Sequence, residues 1–312
     1  MNEVIDAHAH IVPESLLTDS AFRRTDKGWV FSAPGIGETR PIGPRMTNVD
    51  ARRSWLADTG VTRQILSPWL DIQENGRDWA LRLNDAMCES ADELGTAALA
   101  SVDTTDADQA AQDLVDAINV PQLVGLMLST DPLNGPPLHS DHYAPLWMAA
   151  VEHQAPIMLH PSTCGPHGGL GNVHGRLVDN TLALGNLILN GVFDRFPGLQ
   201  LLAVHGGGFL PYQAGRLDGG YRTGETKVAD LERGQPSAYL QDFYYDTVAL
   251  TAPAIAFLTE NVAPGRVMLG SDYPFAIGDP QPATTVRNAA LTEHLTDSVM
   301  RGAAVDLFGK IS

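Results

Sequence analysis

Eight short apolar runs, each followed by a stretch with helical periodicity, constrain this chain more than any other feature. In order they are "VIDAHAH", "VTRQILSP", "GTAALASVD", "QLVGLMLS", "APIMLHP", "LQLLAVHGGG", "DFYYDTV" and "RVMLGSDYP". Near-continuous apolar runs of this length suit parallel strands covered on both faces. The intervening patterns predict helices over "VDARRSWLADT", stopped by Gly60, and over "RDWALRLNDAMCESADEL". Further helices are predicted over about residues 106–118, 143–154 and 177–194, with "TDSVMRGAAVDLF" closing the chain. Strand–helix alternation without a break in composition predicts one α/β domain over residues 1–312, a single (β/α)8 TIM-type barrel. A doubly wound open sheet fits less well, since no GxGxxG turn follows an early strand. Residues about 13–46, rich in Gly, Pro and charge, read as an irregular insertion loop. That loop is expected to form the other wall of the site, with Trp29 and Phe31 either stacking on a substrate or packing within the loop.

Composition narrows the partners. The 312 residues are 44% hydrophobic, enough for a sizeable core, and Lys+Arg 20 against Asp+Glu 37 gives a net charge of −17. Such a balance disfavours nucleic acid and anionic membrane, because no basic surface remains to neutralise phosphates. No apolar run approaches the roughly 20 residues a membrane helix needs, and the N-terminus has no signal-peptide pattern. Cys88 and Cys164 make neither a disulfide framework nor a cysteine zinc site. A reduced, cytoplasmic location is the expectation.

In a barrel of this kind, chemistry sits at the C-terminal ends of the strands. Asp6, His8 and His10 fall on one side of the first strand, since strand side chains alternate with period two. The fifth strand ends in His160, the sixth in His205 and the eighth in Asp272. A lone histidine there is ordinarily a hydrogen-bonded loop residue, but four histidines and an aspartate at one mouth point to a metal. Imidazole and carboxylate suit Zn²⁺, with Mn²⁺ as the alternative. The three lysines, Lys27, Lys227 and Lys310, lie far from the fourth strand, which carries no acid, so a single divalent ion is expected. His8, His10, His160 and Asp272 are taken as its ligands, with His205 standing off to act on bound water. The "HGGG" after the sixth strand admits two readings: a tight turn, or a backbone amide surface open to a ligand.

The set "DAHAHIVP", "HP", "HGGG" and "GRVMLGSDYPF" resembles the amidohydrolase superfamily, and within it the branch of 2-amino-3-carboxymuconate-6-semialdehyde decarboxylase. The resemblance runs over nearly the whole chain. It implies a divalent metal, usually zinc, on His8, His10, His160 and Asp272, and His205 as general acid/base. It further implies that Arg40 and Arg216 hold a substrate carboxylate, Arg216 reaching across a homodimer interface. Guanidinium suits that task through its bidentate fork. Related hydroxybenzoate decarboxylases tend to carry glutamate at the position of His8 and an acid shortly after the "HG", unlike this chain. The loop "HPSTCGPHGGLGNVHGR" also departs from the branch, with Ser162 in place of an aromatic, Cys164 beside the pocket and additional His167 and His174.

The expected activity is therefore a metal-dependent, oxygen-independent decarboxylation of a small unsaturated or aromatic carboxylate. Metal-bound hydroxide would add beside the departing carboxylate, and Asp272 and His205 would serve catalysis. A hydrolase of a lactone, amide or C–C bond, or a hydratase, would use the same site.

Overall fold

The computed structural model describes residues 3–33, 37–133, 135–161, 170–225 and 229–309. Ser162, Cys164 and His167 lie outside them. The described residues hold eleven strands: β1 Ile5–Ile11, β2 Phe22–Thr25, β3 Gly28–Ala33, β4 Gly37–Glu38, β5 Arg63–Pro68, β6 Ala97–Ala100, β7 Leu123–Ser129, β8 Ile157–His160, β9 Leu201–Ala203, β10 Tyr244–Asp246 and β11 Val267–Met268. Eight of them form one sheet in the order β1-β5-β6-β7-β8-β9-β10-β11, all pairs parallel. The sheet closes on itself. Ala7 N–H donates to Leu269 O (2.8 Å), Asp272 N–H to His8 O (2.9 Å) and His10 N–H to Tyr273 O (2.6 Å), with Ala9 bridging Tyr273 in parallel. All eight runs read from the sequence are strands of this (β/α)8 barrel.

The helices follow the anticipated spans because their local signals are intact. Val49–Thr59 starts at Asn48, whose side chain accepts from Ala51 N, and ends at Gly60 in the left-handed conformation (φ 73°). Ala107–Ile118 is capped by Asp106, which accepts from Gln109 N. Leu146, Trp147 and Ala150 of the helix Ala144–Glu152 are buried against the Ile157 and Leu159 side of β8 in one apolar cluster. Full burial of one such side chain contributes about 1.5–3 kcal/mol. A second cluster joins Ile5, Ala7 and Ile11 of β1 to Trp79 and Leu83 of the helix Arg77–Leu94.

The insertion is more ordered than its composition suggests. β2, β3 and β4 form a small antiparallel sheet, tied by Thr25 Oγ1 donating to Gly28 O (2.7 Å). Arg23, Arg24 and Lys27 mask the strand signal in sequence, while Phe22 and Phe31 supply the buried face. Phe31 is fully buried, its ring 5.2 Å from Phe22 and 4.9 Å from Trp79. It is core, not a substrate-stacking residue. Trp29 packs at the edge of the same cluster, under the Arg24 guanidinium at 6.0 Å.

Candidate metal centre and active site

The side chains of β1 divide by parity. Asp6, His8 and His10 point into the barrel, but Asp6 lies one layer deeper, accepting from Gln64 Nε2 (2.7 Å), Ser271 N (2.9 Å) and Ser271 Oγ (2.5 Å). Burial raises its pKa in spite of those bonds. Gln64 in turn accepts from Arg52 Nη1 (2.7 Å), and Arg52 Nη2 donates to His10 O (2.5 Å). Arg52 is fully buried, sits 4.6 Å from the Tyr273 ring and has its pKa lowered to about 10 by burial. A polar girder thus fixes the backbone of His10 from below.

Above it the predicted residues converge. His8 Nε2 lies 3.1 Å from His10 Nε2, and each lies 3.5 Å from Asp272 Oδ1. The His160 ring is 5.1 Å from His8, 4.8 Å from His10 and 5.1 Å from His205. His8, His160, His205 and Asp272 offer ligand atoms within 4.8 Å of one another. His205 and Asp272 both adopt left-handed backbone (φ 55° and 59°), a conformation that costs of order 1–3 kcal/mol and clusters at functional positions.

Hydrogen bonds on the far ring nitrogens assign the tautomers. His8 Nδ1–H donates to Asp246 Oδ2 (2.6 Å), His10 Nδ1–H to Pro68 O (3.2 Å) and His160 Nδ1–H to Pro161 O (3.0 Å). All three therefore present Nε2 lone pairs inward. With His8 neutral, two lone pairs face each other at 3.1 Å and repel unless a cation lies between them; without a metal a proton on His8, whose pKa is raised, can take that place, while His160 Nε2 and Asp272 Oδ1 stay buried without a partner. Three neutral imidazoles and a carboxylate with this orientation fit a divalent cation. His205 is different. Asn180 Nδ2 donates to both Val204 O (2.9 Å) and His205 Nδ1 (3.1 Å), so the proton of His205 sits on Nε2.

Electrostatics follow the same division. Burial pulls His8 down, but the hydrogen bond and charge of Asp246 outweigh it and the pKa is raised. Burial lowers His10, takes His160 well below the ordinary imidazole value and brings His205 to about 4. Burial works against Asp272 ionising, yet the ring edges of His10, His8 and His205 around it hold it at about 2. Asp272 is a carboxylate at neutral pH.

Residues 5–310 match the model of the amidohydrolase family Amidohydro_2. The chain belongs to this family. Among similar amidohydrolases, 2-amino-3-carboxymuconate-6-semialdehyde decarboxylase of Dictyostelium discoideum is 26% identical over 288 residues, covering 86% of this chain and 79% of the relative. Gamma-resorcylate decarboxylase of Polaromonas sp. is 26% identical over 336 residues, covering 99% of each chain. The structure of 5-carboxyvanillate decarboxylase from Sphingomonas paucimobilis superposes with a TM-score of 0.82 at 22% identity, covering 98% of both chains. That of dihydroxybenzoic acid decarboxylase from Polaromonas sp., with bound manganese and the inhibitor 2-nitroresorcinol, gives 0.79 at 22% identity, covering 99% of this chain and 97% of that one. No helix among the described residues is long and apolar enough to cross a membrane.

The remaining expectations divide. Arg40 stands at the rim, its Nε 3.3 Å from Asp71 Oδ2 and its guanidinium over Trp69 and Phe275 at 5.4 and 5.1 Å. The Phe275 ring reaches His10 at 5.3 Å. Arg216 is exposed on the helix Leu210–Thr223 and lines a separate groove with Arg222 and Gln213. His174 is exposed on the turn Gly171–Gly175. The "HGGG" is a tight turn: Gly206, Gly207 and Gly208 have φ of 60°, 75° and 66°, and a Cβ on Gly208 would sit 2.4 Å from Leu177 O. All three amides are engaged, with Asp246 Oδ1, Val204 O and His205 O, so the reading of an open amide surface is corrected. No described residue of 13–46 lines the cavity holding His205 and Asp272; the loop approaches the site through Arg40 over Phe275. Sequence reading also passed over Asp246, Asn180, Arg52 and Arg176. Asp246 carried a signal, being an acid at the end of the seventh strand run; Asn180 carried none.

Proposed function

We propose that this amidohydrolase is a metal-dependent decarboxylase of a small aromatic or unsaturated carboxylate. His8, His10, His160 and Asp272 would hold one divalent cation, and His205 would carry the proton. The tautomer pattern supports this reading above all: three histidines turn lone pairs inward and the fourth turns a proton inward. A bound divalent ion supplies a Lewis-acid centre that polarises an oxygen of substrate or water. Zn²⁺ and Mn²⁺ both suit this donor set, and a similar protein was solved with manganese.

The rest of the chemistry belongs to the chain. Asp246 fixes the His8 tautomer, and Pro68 and Pro161 carbonyls fix those of His10 and His160. His205 holds a proton at Nε2 on the cavity side, poised to hydrogen-bond a substrate oxygen. To move a proton to the carbon that loses CO₂, His205 would first take a second proton, from water, at Nδ1, so that Nε2 can give up its own and leave a neutral ring with Nδ1–H. Asn180 provides for that by turning its amide over, so that Oδ1, buried without a partner here, accepts from Nδ1–H. The turn exchanges the bond to Val204 O for the new one.

Arg216 reaching the neighbouring site in a homodimer belongs to the same proposal, supported by its exposure and its groove. The test is CO₂ release from hydroxybenzoates and carboxymuconate semialdehydes by metal-loaded and metal-stripped protein. Metal-dependent CO₂ is the expected result. Substrate consumed without CO₂ would assign hydration or hydrolysis instead, and a similar protein is named 2-keto-4-carboxy-3-hexenedioate hydratase.

A further inference from the structure

We infer that Arg176 of the same chain receives the anionic group of the substrate, whose body lies on an apolar wall of the same cavity. For the reaction this rests on the decarboxylase reading; for binding it stands alone. A cavity of about 290 Å³ opens over His205 and Asp272. Among its described lining residues Arg176 is the one cation. Arg40 is already paired with Asp71, and Arg216 lines a different groove.

Arg176 is also pre-arranged. Its Nε donates to Asn172 Oδ1 (2.9 Å) and its Nη1 to Pro161 O. Pro161 O also accepts from His160 Nδ1, so one carbonyl ties the guanidinium to a metal-site histidine. A guanidinium has five N–H donors, and Nη2 makes no hydrogen bond among the described residues. The fork is therefore held by one edge with donors to spare for a carboxylate, and little ordering entropy remains to be lost on binding. Much of the remaining wall is apolar and open. Val173, Phe209, Tyr212, Leu250 and Ile277 line the same cavity with 38–48% of their surface exposed. Exposed apolar side chains around a concave site with one fixed charge match a hydrophobic body bearing one outward anion.

Binding, not turnover, tests this. Calorimetric titration of the metal-loaded protein with a panel of hydroxybenzoates and conjugated acids, each beside its neutral amide, gives an acid-over-amide affinity ratio. Loss of a charge-assisted bidentate contact should lower that ratio about 10- to 100-fold in Arg176→Gln, with amide affinity kept within about twofold. Arg176→Lys should restore part of it. Asn172→Ala keeps the charge but removes one anchor, and should give a smaller loss; it decides the matter if Arg176→Gln does not fold. A ratio changed by less than about threefold in Arg176→Gln, or lost in Arg216→Gln instead, overturns the inference. So does failure of the wild type to bind any acid of the panel. An intact ratio effect without CO₂ release would sink only the decarboxylase reading; CO₂ release with no ratio effect would sink only the role of Arg176.

Discussion

Asp246→Asn changes one atom of the site, and its consequence can be worked through bond by bond. Asp246 Oδ1 accepts from Gly206 N (2.8 Å) and Val248 N (3.1 Å), while Oδ2 accepts from His8 Nδ1 (2.6 Å). In the variant, two backbone donors hold the amide oxygen at the Oδ1 position. The NH₂ group then falls at the Oδ2 position and donates to His8 Nδ1, moving the imidazole proton to Nε2. The residue keeps its volume and both backbone bonds, so folding is spared, but the lone pair that would bind a cation is gone. Loss of a carboxylate behind a ligating histidine typically costs 10- to 100-fold in metal affinity, about 1.4–2.7 kcal/mol. Competition against a chromophoric chelator at fixed pH measures it, with denaturation of the metal-free variant as the folding control. An affinity within about twofold of the wild type would refute the tautomer argument, since the predicted loss is at least fivefold larger.

Three further outcomes follow from the same geometry. Arg52→Met leaves Gln64 Oε1 and His10 O without their donor in a dry interior, and should lower stability by about 2–5 kcal/mol in denaturant titration. Gly208→Ala forces a side chain onto a left-handed backbone against Leu177 O, and should lose about 1–3 kcal/mol together with substrate binding; an unchanged unfolding midpoint would contradict the contact. In metal-free protein, His10, His160 and His205 are held neutral below their unfolded pKa, His205 down to about 4. Between pH 4 and about 6.5 the unfolded chain therefore binds more protons, so their contribution falls as pH drops through that window. His8 works in the opposite sense, its raised pKa adding stability that is present in acid and lost as pH rises through it. Glu74, raised to about 7 by burial, and Asp6 and Asp71, also raised by burial, act in that same opposite sense, so the test is differential: His205→Asn should reduce the fall in denaturation midpoint between pH 7.5 and pH 5, and an unchanged fall would mean His205 is not desolvated as described.

The legible and illegible parts of this chain separate by the kind of signal involved. Barrel strands are buried on both faces, so "PIMLH" and "LLAVH" stand out as apolar runs with one polar residue at the functional end. β2 and β3 face the core on one side only, and their outward arginines made them read as loop. The metal-facing histidines were legible because they terminate runs. Asp246 terminates one too, in "YYDTV", but its role comes through His8, a partner 238 residues away. Asn180 and Arg176 lie on a helix beside the site, where no local pattern distinguishes an inward polar residue from a solvated one. Phe31 shows the limit of composition: an aromatic in a charged loop served the core through Trp79.

The most direct test of the metal assignment is anomalous diffraction from crystals loaded with Mn²⁺ or Zn²⁺. The predicted result is one ion at about 2.0–2.2 Å from the Nε2 atoms of His8, His10 and His160 and from Asp272 Oδ1, with His205 outside the coordination sphere. Coordination by His205 in place of His10 would contradict it, because Asn180 could not then be donating to His205 Nδ1.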